Sequence, residues 1–248
     1  MSEREALKRR AAERAVELVQ DGMKLGLGTG STARHVLQVL AERQSRGELR
    51  NIVGVATSAA TAQQARDLGI TMRALDDVGS LDLGIDGADE VDGDLNLIKG
   101  MGGALLWEKI VAAACARFVV VVDDSKLVSR LGTKGPLPVE VVPFGWTTHI
   151  QAFQQLGART LLRRASDGSA FRTDGGHHII DCAFPQGITD AYGLQAQFKN
   201  RPGVVETGLF LELASAVVVA YTNGVHVLEN REEGKRGRED VTGKRDIE

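Results

Sequence analysis

The sequence is short of cysteine, of metal-ligand histidine pairs and of positive charge, and each shortage excludes a class of protein. Its two cysteines, Cys115 and Cys182, are too few and too far apart for a disulfide framework or a zinc site. None of its five histidines has metal-ligand spacing with a partner. The net charge of -3 argues against a nucleic acid held by bulk charge. We therefore expect neither a metal site nor a nucleic-acid partner.

Long apolar runs are also missing. No run is long enough to span a bilayer, and residues 1–19 form a charged amphipathic helix without the apolar centre of a signal peptide. We therefore expect a cytoplasmic protein with no membrane partner. The hydrophobic share of 43% is that of a globular chain of 248 residues with a sizeable core, in one large or two modest domains.

Apolar strands alternate with helices through the first half of the chain. The predicted strands are 23–25, 52–56, 81–85 and 118–122, and the predicted helices are 4–20, 33–43, 59–68 and 103–116. This alternation predicts an α/β fold, with a Rossmann-like, mostly parallel sheet covered by helices on both faces. We assign residues 1–131 to this catalytic domain.

The pattern changes after a glycine- and proline-containing hinge at 132–136. The elements that follow have the order β-α-β-β-α-β, with strands at 139–142, 159–164, 177–184 and 203–206, a short extended stretch at 170–172, and helices at 147–156 and 189–200. This order predicts a smaller ferredoxin-like α+β domain over 132–206, inserted before the C-terminal strands. Residues 207–229 then complete the first domain, with a hairpin at Asn223-Gly224, and the charged segment 230–248 is predicted to be a disordered tail.

Small and polar residues follow four of the predicted strands. They read GTGST at 28–32, TSAAT at 57–61, DGADE at 86–90 and DDSK at 123–126. Ligands of open α/β sheets bind beyond the carboxyl ends of the strands, so these loops are expected to form one site. The glycines, Ser31 and Thr32 of the first loop suit a phosphate monoester at a helix N-terminus, although a plain tight turn explains them as well. The loop matches neither a Walker A motif nor a dinucleotide fingerprint.

Glu108 is the one acid in an apolar predicted helix. Its neighbours three and four positions away are all apolar: Ala104, Leu105, Val111 and Ala112. A carboxyl group on that face loses hydration, so its pKa rises towards neutrality and it becomes suited to moving protons. A glutamate at a helix edge that reaches water is the competing interpretation.

Further charged residues lie in the loops that precede this helix. Asp86 directly follows an apolar strand and, with Asp89, is expected to face the same cleft as Glu108. The acids at 86–94 do not have the spacing of a calcium loop. Lys99 and Lys126 are cations at strand ends that suit a phosphate dianion or a developing oxyanion, and the sequence does not decide which serves which.

These segments together resemble the type A family of ribose-5-phosphate isomerases. The resemblance runs from about residue 8 to 228 and is carried by GLGTGSTA at 26–33, TS at 57–58, DGADEVD at 86–92, KGMGGALLWEKI at 99–110, DDSKLV at 123–128, LPVEVVPF at 137–144 and VETGLF at 205–210. It implies interconversion of ribose 5-phosphate and ribulose 5-phosphate in the non-oxidative pentose phosphate pathway, through an enediolate and without a cofactor. It also implies a homodimer or homotetramer whose only other partner is the sugar phosphate.

The resemblance assigns roles residue by residue. The proton acceptor is Glu108, with Asp86 as a second acid/base group and Lys99 as a catalytic cation. The implied substrate-binding residues are Thr29, Gly30, Ser31, Thr32, Asp86, Gly87, Ala88, Asp89, Lys99, Gly100, Met101, Gly102 and Lys126, and Lys8 is a further candidate for the phosphate.

Two positions depart from the family pattern. Met101 stands where the family usually has glycine, so its side chain is expected to crowd the loop or restrict its backbone. The segment 173–177 reads TDGGH where the family has T-D-x-G-N. Two other functions are compatible with the residues. A sugar-phosphate sensor needs the phosphate loop without Glu108, and a CoA-transferase-like enzyme uses Glu108 as a nucleophile.

Overall fold

The structure, a computed structural model, describes residues 2–229, so the tail predicted at 230–248 lies outside the described part of the chain. The helices are α1 (Glu3–Val16), α2 (Ser31–Ser45), α3 (Ala59–Asp67), α4 (Leu75–Val78), α5 (Leu105–Ala114), α6 (Thr147–Gln155) and α7 (Ala191–Lys199). The strands are β1 (Lys24–Leu27), β2 (Val53–Ala56), β3 (Leu81–Asp86), β4 (Glu90–Val91), β5 (Leu97–Ile98), β6 (Cys115–Asp123), β7 (Leu137–Val141), β8 (Arg159–Leu162), β9 (His178–Ala183), β10 (Val204–Thr207), β11 (Leu209–Phe210), β12 (Ala216–Tyr221) and β13 (Gly224–Glu229).

A six-stranded sheet forms the centre of the molecule, in the order β13-β12-β6-β3-β1-β2. All neighbouring pairs are parallel except the edge hairpin of β12 and β13. Tyr221 pairs with Gly224 there, so the two-residue turn is Thr222-Asn223, one position before the predicted Asn223-Gly224. Alternate residues of the central strands pack against α1, α2 and α3 on one face. The opposite face packs against α5 and a small sheet of β11, β5 and β4. The predicted α/β fold is confirmed.

A second, antiparallel sheet has the order β10-β7-β9-β8. Its strands and the helices α6 and α7 follow one another as β-α-β-β-α-β, which is the ferredoxin-like order expected from the sequence. Phe153 and Phe198 from the two helices pack edge to face at 4.7 Å between ring centroids and fill the core beneath the sheet. The domain boundaries themselves stay a prediction.

Several predicted elements differ in extent from the observed ones. The first helix ends at Val16 rather than at residue 20, and Cys115 begins β6 rather than lying in a helix. The stretch at 170–172 contributes only an isolated bridge between Arg164 and Ala170. The small sheet of β4, β5 and β11 was not predicted, because two-residue strands carry no periodicity. No helix between residues 2 and 229 is long and apolar enough to cross a membrane.

Candidate active site

Three loops are in direct contact at one edge of the six-stranded sheet. Because β1, β2 and β3 run parallel, their carboxyl ends lie at the same edge. There the Thr29 hydroxyl lies 2.7 Å from the hydroxyl of Thr57 and 2.9 Å from that of Ser58. The Thr29 N–H donates to Asp86 Oδ1 at 3.1 Å. The loops after these strands therefore surround one point, at which Asp86 ends β3.

Asp86 is packed against the backbone of the loop that follows β1. Its Oδ1 atom accepts the N–H groups of Thr29 and, at 2.7 Å, of Gly87. A Cβ atom at Gly28 would lie 2.0 Å from this oxygen, so the carboxylate leaves no space for a side chain there. Gly26, assigned to the loop from the sequence, lies inside β1 instead, where a Cβ atom would meet the Val111 side chain at 2.6 Å.

Lys99 joins Asp86 to Glu108 in a buried cluster of three charges. The Lys99 Nζ atom lies 2.9 Å from Asp86 Oδ2 and 3.4 Å from Glu108 Oε1, and it donates to the Gly87 carbonyl at 2.7 Å. Asp86 and Lys99 are each 2% exposed and Glu108 is 5% exposed. The competing interpretation of Glu108 as a solvated helix-edge residue is therefore wrong. Its second oxygen, Oε2, is buried without a hydrogen-bond partner among residues 2–229.

Burial raises the pKa of Glu108 to about 8. The Lys99 ammonium opposes this rise, whereas the Asp86 carboxylate reinforces it. Burial also raises the pKa of Asp86, with Lys99 and the two backbone N–H donors opposing it. Since Asp86 has the shorter contact with Lys99 and the additional donors, we assign the anionic charge to Asp86 and the exchangeable proton to Glu108.

Burial by itself would lower the pKa of Lys99, yet the adjacent Asp86 and Glu108 carboxylates outweigh it and raise that pKa. Lys99 therefore stays a cation throughout the physiological range. Its ammonium is surrounded by three protein oxygens, those of Asp86, Glu108 and the Gly87 carbonyl.

The glycine run before α5 forms a tight loop over this cluster. Gly100 and Gly103 have φ values of +104° and +86°, which favour glycine, whereas Met101 does not lie in the left-handed region. Met101 is partly exposed and its N–H donates to Asp89 Oδ2 at 3.0 Å. The methionine therefore fits the loop backbone without strain, contrary to the expectation of a restricted conformation. Asp89 serves this loop rather than pairing with Lys99 or Glu108.

The first loop and α1 form a second polar cluster beside the cleft. Gly30 has a φ of +108° and caps α2, so Ser31 and Thr32 lie in the first helical turn. Lys8 of α1 donates to the Ser31 hydroxyl at 2.9 Å, which brings a cation to this helix N-terminus. Thr32 lies next to Gly87, where a Cβ atom would be 3.6 Å from the Thr32 Cβ. Hydroxyls, N–H groups and a lysine are what a phosphate group requires.

Lys126 lies in a short 3-10 helix (Asp124–Lys126) directly after β6. β6 runs parallel to β3, so the segment after β6 and Gly87 after β3 lie at the same edge of the sheet. The Lys126 side chain is half-buried and makes no ion pair with any residue of the described chain. Arg4 of α1 donates to the adjacent Ser125 hydroxyl at 3.4 Å, so the short helix is in contact with α1.

The structure thus brings most of the predicted residues into two adjoining clusters. The acid/base cluster and its covering loop contain Asp86, Gly87, Ala88, Asp89, Lys99, Gly100, Met101, Gly102 and Glu108, and the second cluster contains Thr29, Gly30, Ser31 and Thr32. Lys126 lies at the rim of the same edge. No group of three potential metal ligands occurs between residues 2 and 229.

Three residues of the antiparallel sheet unit reach this site and were not predicted. Arg163 donates to carbonyls of the glycine loop, Phe171 packs over Gly103, and Asp174 accepts the N–H of Ala59 at the start of α3. These contacts join positions 62 to 115 residues apart. No local pattern marks them, because the pairing depends on how the two sheets pack.

Comparison with known proteins agrees with this arrangement. Residues 53–224 match the family described as Ribose 5-phosphate isomerase A (phosphoriboisomerase A). Ribose-5-phosphate isomerase A of Gloeobacter violaceus is 56% identical over 223 residues, which is 90% of this chain and 95% of the relative. That of Nitrobacter hamburgensis is 51% identical over 233 residues, 92% of this chain and 99% of the relative.

A solved structure is similar over the same extent. A D-ribose-5-phosphate isomerase in complex with phospho-erythronic acid superposes with a TM-score of 0.89 at 40% identity, covering 92% of this chain and all of that one.

Proposed function

Because this chain belongs to the ribose 5-phosphate isomerase A family, and is thus an aldose–ketose isomerase that interconverts ribose 5-phosphate and ribulose 5-phosphate, we propose that Glu108 is its acid/base residue. The observation that carries this proposal is the buried Oε2 atom of Glu108, which has no hydrogen-bond partner among the described residues. No donor within residues 2–229 occupies this oxygen, so it is available to accept a proton from a bound substrate. Family membership also leaves no ground for the sensor and CoA-transferase alternatives.

In the proposed reaction Glu108 takes the proton from C2 of the open-chain aldose. The C2–H bonding pair forms the C1–C2 double bond of an enediolate, and the C1 carbonyl oxygen becomes negative. The hydroxyl proton passes from O2 to O1, and return of the carbon-bound proton to C1 then leaves the carbonyl at C2 and yields the ketose. One carboxylate on one face of the planar intermediate serves both transfers, and a pKa of about 8 allows it to cycle near neutral pH.

Lys99 keeps the charge of the site balanced during this step. Before proton transfer its ammonium faces Asp86 and an ionised Glu108, at 2.9 Å and 3.4 Å. When Glu108 becomes neutral, the enediolate carries the negative charge that Glu108 has lost. The cation then stabilises the intermediate at the moment its charge develops, in a site that excludes water.

Asp86 and the glycine loop complete the proposed machinery. Asp86 moves the hydroxyl protons at O1 and O2 and assists opening of the furanose ring. The Met101 N–H donates to Asp89 Oδ2 and the Gly103 N–H to the Gly100 carbonyl, so the N–H groups of Gly100 and Gly102 are the proposed donors to the enediolate oxygens. A well-placed donor of this kind contributes about 3–4 kcal/mol. The N–H of Gly102 has no partner within residues 2–229 and lies in an exposed stretch of the loop.

The substrate phosphate is proposed to bind at the Thr29–Thr32 loop. The N-terminus of α2 and the Ser31 and Thr32 hydroxyls supply donors there, and Lys8 and Lys126 supply positive charge. Lys8 pairs with the partly exposed carboxylate of Glu5 at 2.7 Å, whereas both carboxylate partners of Lys99 are buried, so Lys99 is not proposed for this role.

The remaining proposals rest on the family resemblance and the sequence. They are a catalytic domain of residues 1–131 completed by 207–229, a ferredoxin-like domain of 132–206, a homodimer or homotetramer, and a place in the cytoplasmic non-oxidative pentose phosphate pathway without a cofactor.

Replacement of Glu108 by glutamine tests the acid/base assignment. Glutamine keeps the size and polarity of the side chain and cannot accept the C2 proton, so Glu108→Gln should lower kcat by 10³-fold or more, on the order expected for loss of an essential base. Ribose 5-phosphate should still bind, because the phosphate cluster is unchanged. Turnover is measured by following ribulose 5-phosphate, and binding by calorimetry.

Glu140→Gln is the matched control. Glu140 is also buried, also has one carboxylate oxygen without a partner in the described chain, and lies on β7, where it accepts the Thr173 hydroxyl at 2.8 Å. This variant should keep its turnover. Near-normal turnover in Glu108→Gln would reject the assignment.

A further inference from the structure

Arg163 ties the antiparallel sheet to the glycine loop of the active site. It follows β8, and its Nη1 atom donates to the Gly100 carbonyl at 2.8 Å and to the Met101 carbonyl at 3.1 Å. The Nε atom donates to Asp181 Oδ2 at 2.9 Å, and Nη2 contacts the other oxygen of the same carboxylate. The arginine side chain is 13% exposed. Both sides of the guanidinium fork are therefore occupied, and the side chain is fixed in one orientation.

These two hydrogen bonds fix the directions of two peptide groups. The Gly100–Met101 peptide is held at both ends, because its carbonyl binds Arg163 and its N–H donates to Asp89 Oδ2. The next peptide is held through the Met101 carbonyl. In a trans peptide the N–H points opposite to the carbonyl, and residues 2–229 contain no cis bond. The Gly102 N–H therefore points away from Arg163.

The same unit also holds the far end of the loop. Gly103 is buried beneath Phe171, whose ring lies where a Cβ atom at position 103 would be, at 2.5 Å from the Phe171 Cζ atom. On the helix that follows, Lys109 lies 2.9 Å from Glu206 Oε1 of β10 and donates to the Thr207 carbonyl. The loop and the helix that carries Glu108 are thus supported from one side by the antiparallel sheet.

We propose that Arg163, oriented by Asp181, is a positioning residue for the isomerisation, which aims the Gly102 N–H at the enediolate oxygen. This inference rests on the proposed function, since it concerns a donor to the same intermediate. Asp181 neutralises the arginine, so the contribution of Arg163 is geometric and leaves the charge of the Lys99 cluster unchanged. The phosphate cluster at Thr29–Thr32 makes no contact with Arg163 within the described residues.

Arg163→Ala should therefore lower kcat by about 10²-fold, which is the effect of removing or misplacing one oxyanion donor. The KM for ribose 5-phosphate should change less than threefold, because the phosphate cluster is untouched. Phospho-erythronic acid carries a planar carboxylate in place of the enediolate. Its affinity should fall by about the same factor as kcat/KM, measured by calorimetry. The acid limb of the pH profile should stay where it is.

Rescue separates positioning from general loss of structure. Guanidinium chloride at tens of millimolar should restore part of the activity of Arg163→Ala, whereas sodium chloride at the same concentration should not. Arg163→Lys should recover little, since lysine lacks the planar fork in which Nε and Nη2 bind Asp181 while Nη1 binds the two carbonyls. Arg164→Ala is the control, because the Arg164 side chain donates to the Gly168 carbonyl of its own hairpin at 2.8 Å and to no other group of residues 2–229.

Wild-type kcat in Arg163→Ala, or a loss that appears in KM alone, would overturn the inference. If Arg163→Ala does not fold, Asp181→Asn provides the test: it keeps the arginine and releases its orientation, so a smaller fall in kcat is expected and an unchanged kcat would contradict us. Failure of the Glu108 assignment is distinguishable, because it would appear as turnover in Glu108→Gln whatever the Arg163 variants do.

Discussion

The Lys99 ammonium lies 3.4 Å from Glu108 Oε1 while keeping a closer contact, 2.9 Å, with Asp86 Oδ2. Two buried carboxylates therefore share one buried cation. With both acids ionised the cluster carries a net negative charge, and with Glu108 protonated it is neutral. The low polarity of the surroundings favours the neutral form, which is why Glu108 holds its proton to a pKa of about 8.

Loss of the Asp86 charge and loss of the Lys99 charge should move the acid limb of the kcat/KM profile in opposite directions. The ionised base is required, so kcat/KM should fall below the pKa of Glu108, which lies at about 8 in the free enzyme. Asp86→Asn removes a charge that raises this pKa, so the acid limb should move to lower pH by about one unit. Lys99→Met removes the opposing cation, so the limb should move to higher pH.

The measurement is the initial rate at low ribose 5-phosphate from pH 5 to 9.5. Maximal rates should be reduced in both variants. The test compares the pH at which the acid limb of kcat/KM falls in each variant and in the wild type. Shifts of the two variants in the same direction would contradict the charge balance drawn here.

The free energy of unfolding should also depend on the protonation state of Glu108. A carboxyl group whose pKa rises on folding, here from 4.5 to about 8, binds its proton more tightly in the folded state. Its stabilising contribution is complete below pH 4.5 and is lost as the pH rises towards 8. Glu108→Gln mimics the neutral form, so it should be more stable than the wild type at pH 9, by roughly 2–5 kcal/mol, and close to it at pH 4.

Urea unfolding at both pH values provides the check, with Glu140→Gln as the control for loss of a buried glutamate. An equal effect of Glu108→Gln on the free energy of unfolding at pH 4 and pH 9 would argue that Glu108 is ionised in the folded enzyme at both.

The burial of Glu108 was predictable because a helix places positions three and four apart on one face. Leu105, Val111 and Ala112 are buried with it, as their spacing indicates. The ion pairs of Lys99 were not predictable, because its partners lie on β3 and α5 and no local pattern reveals which acids a lysine will face. Arg163 was missed for the same reason, since only the packing of one sheet against the other brings it to Gly100.

The glycines illustrate a second limit of sequence reasoning. A glycine-rich loop after a strand suggests an anion site, yet two of its glycines are required by neighbouring side chains. Gly26 leaves space for Val111, and Gly28 leaves space for the Asp86 carboxylate. The sequence could therefore mark this segment only as a candidate anion site, and the packing reason for two of its glycines became visible only in three dimensions.

Gly28→Ala should consequently damage the acid/base cluster. The new Cβ atom would lie 2.0 Å from Asp86 Oδ1, so the carboxylate must move away from the N–H of Thr29 and from Lys99. We expect a fall in kcat of about 10²-fold and a loss of stability of about 1–3 kcal/mol. Gly93→Ala is the control, because a Cβ there meets nothing within 4 Å and its φ is not positive. Wild-type activity in Gly28→Ala would show that Asp86 need not hold this position.

The two lysines at the rim should control affinity and leave the chemistry unchanged. Lys8 donates to Ser31 at the phosphate loop, and Lys126 follows β6 at the same edge, whereas Lys99 is occupied by Asp86 and Glu108. Lys8→Ala and Lys126→Ala should each raise the KM for ribose 5-phosphate about 5- to 20-fold with kcat nearly unchanged, since a charge on a bound phosphate acts equally in the ground and transition states.

Inorganic phosphate should inhibit the wild type competitively, and its inhibition constant should rise in both variants by a similar factor. Lys24 is the control, because it begins β1 at the opposite edge of the sheet and donates to the Val78 carbonyl. Lys24→Ala should leave both constants unchanged. If the rim variants lower kcat at an unchanged KM, they act on the enediolate instead, and the division of labour between Lys99 and the rim lysines is wrong.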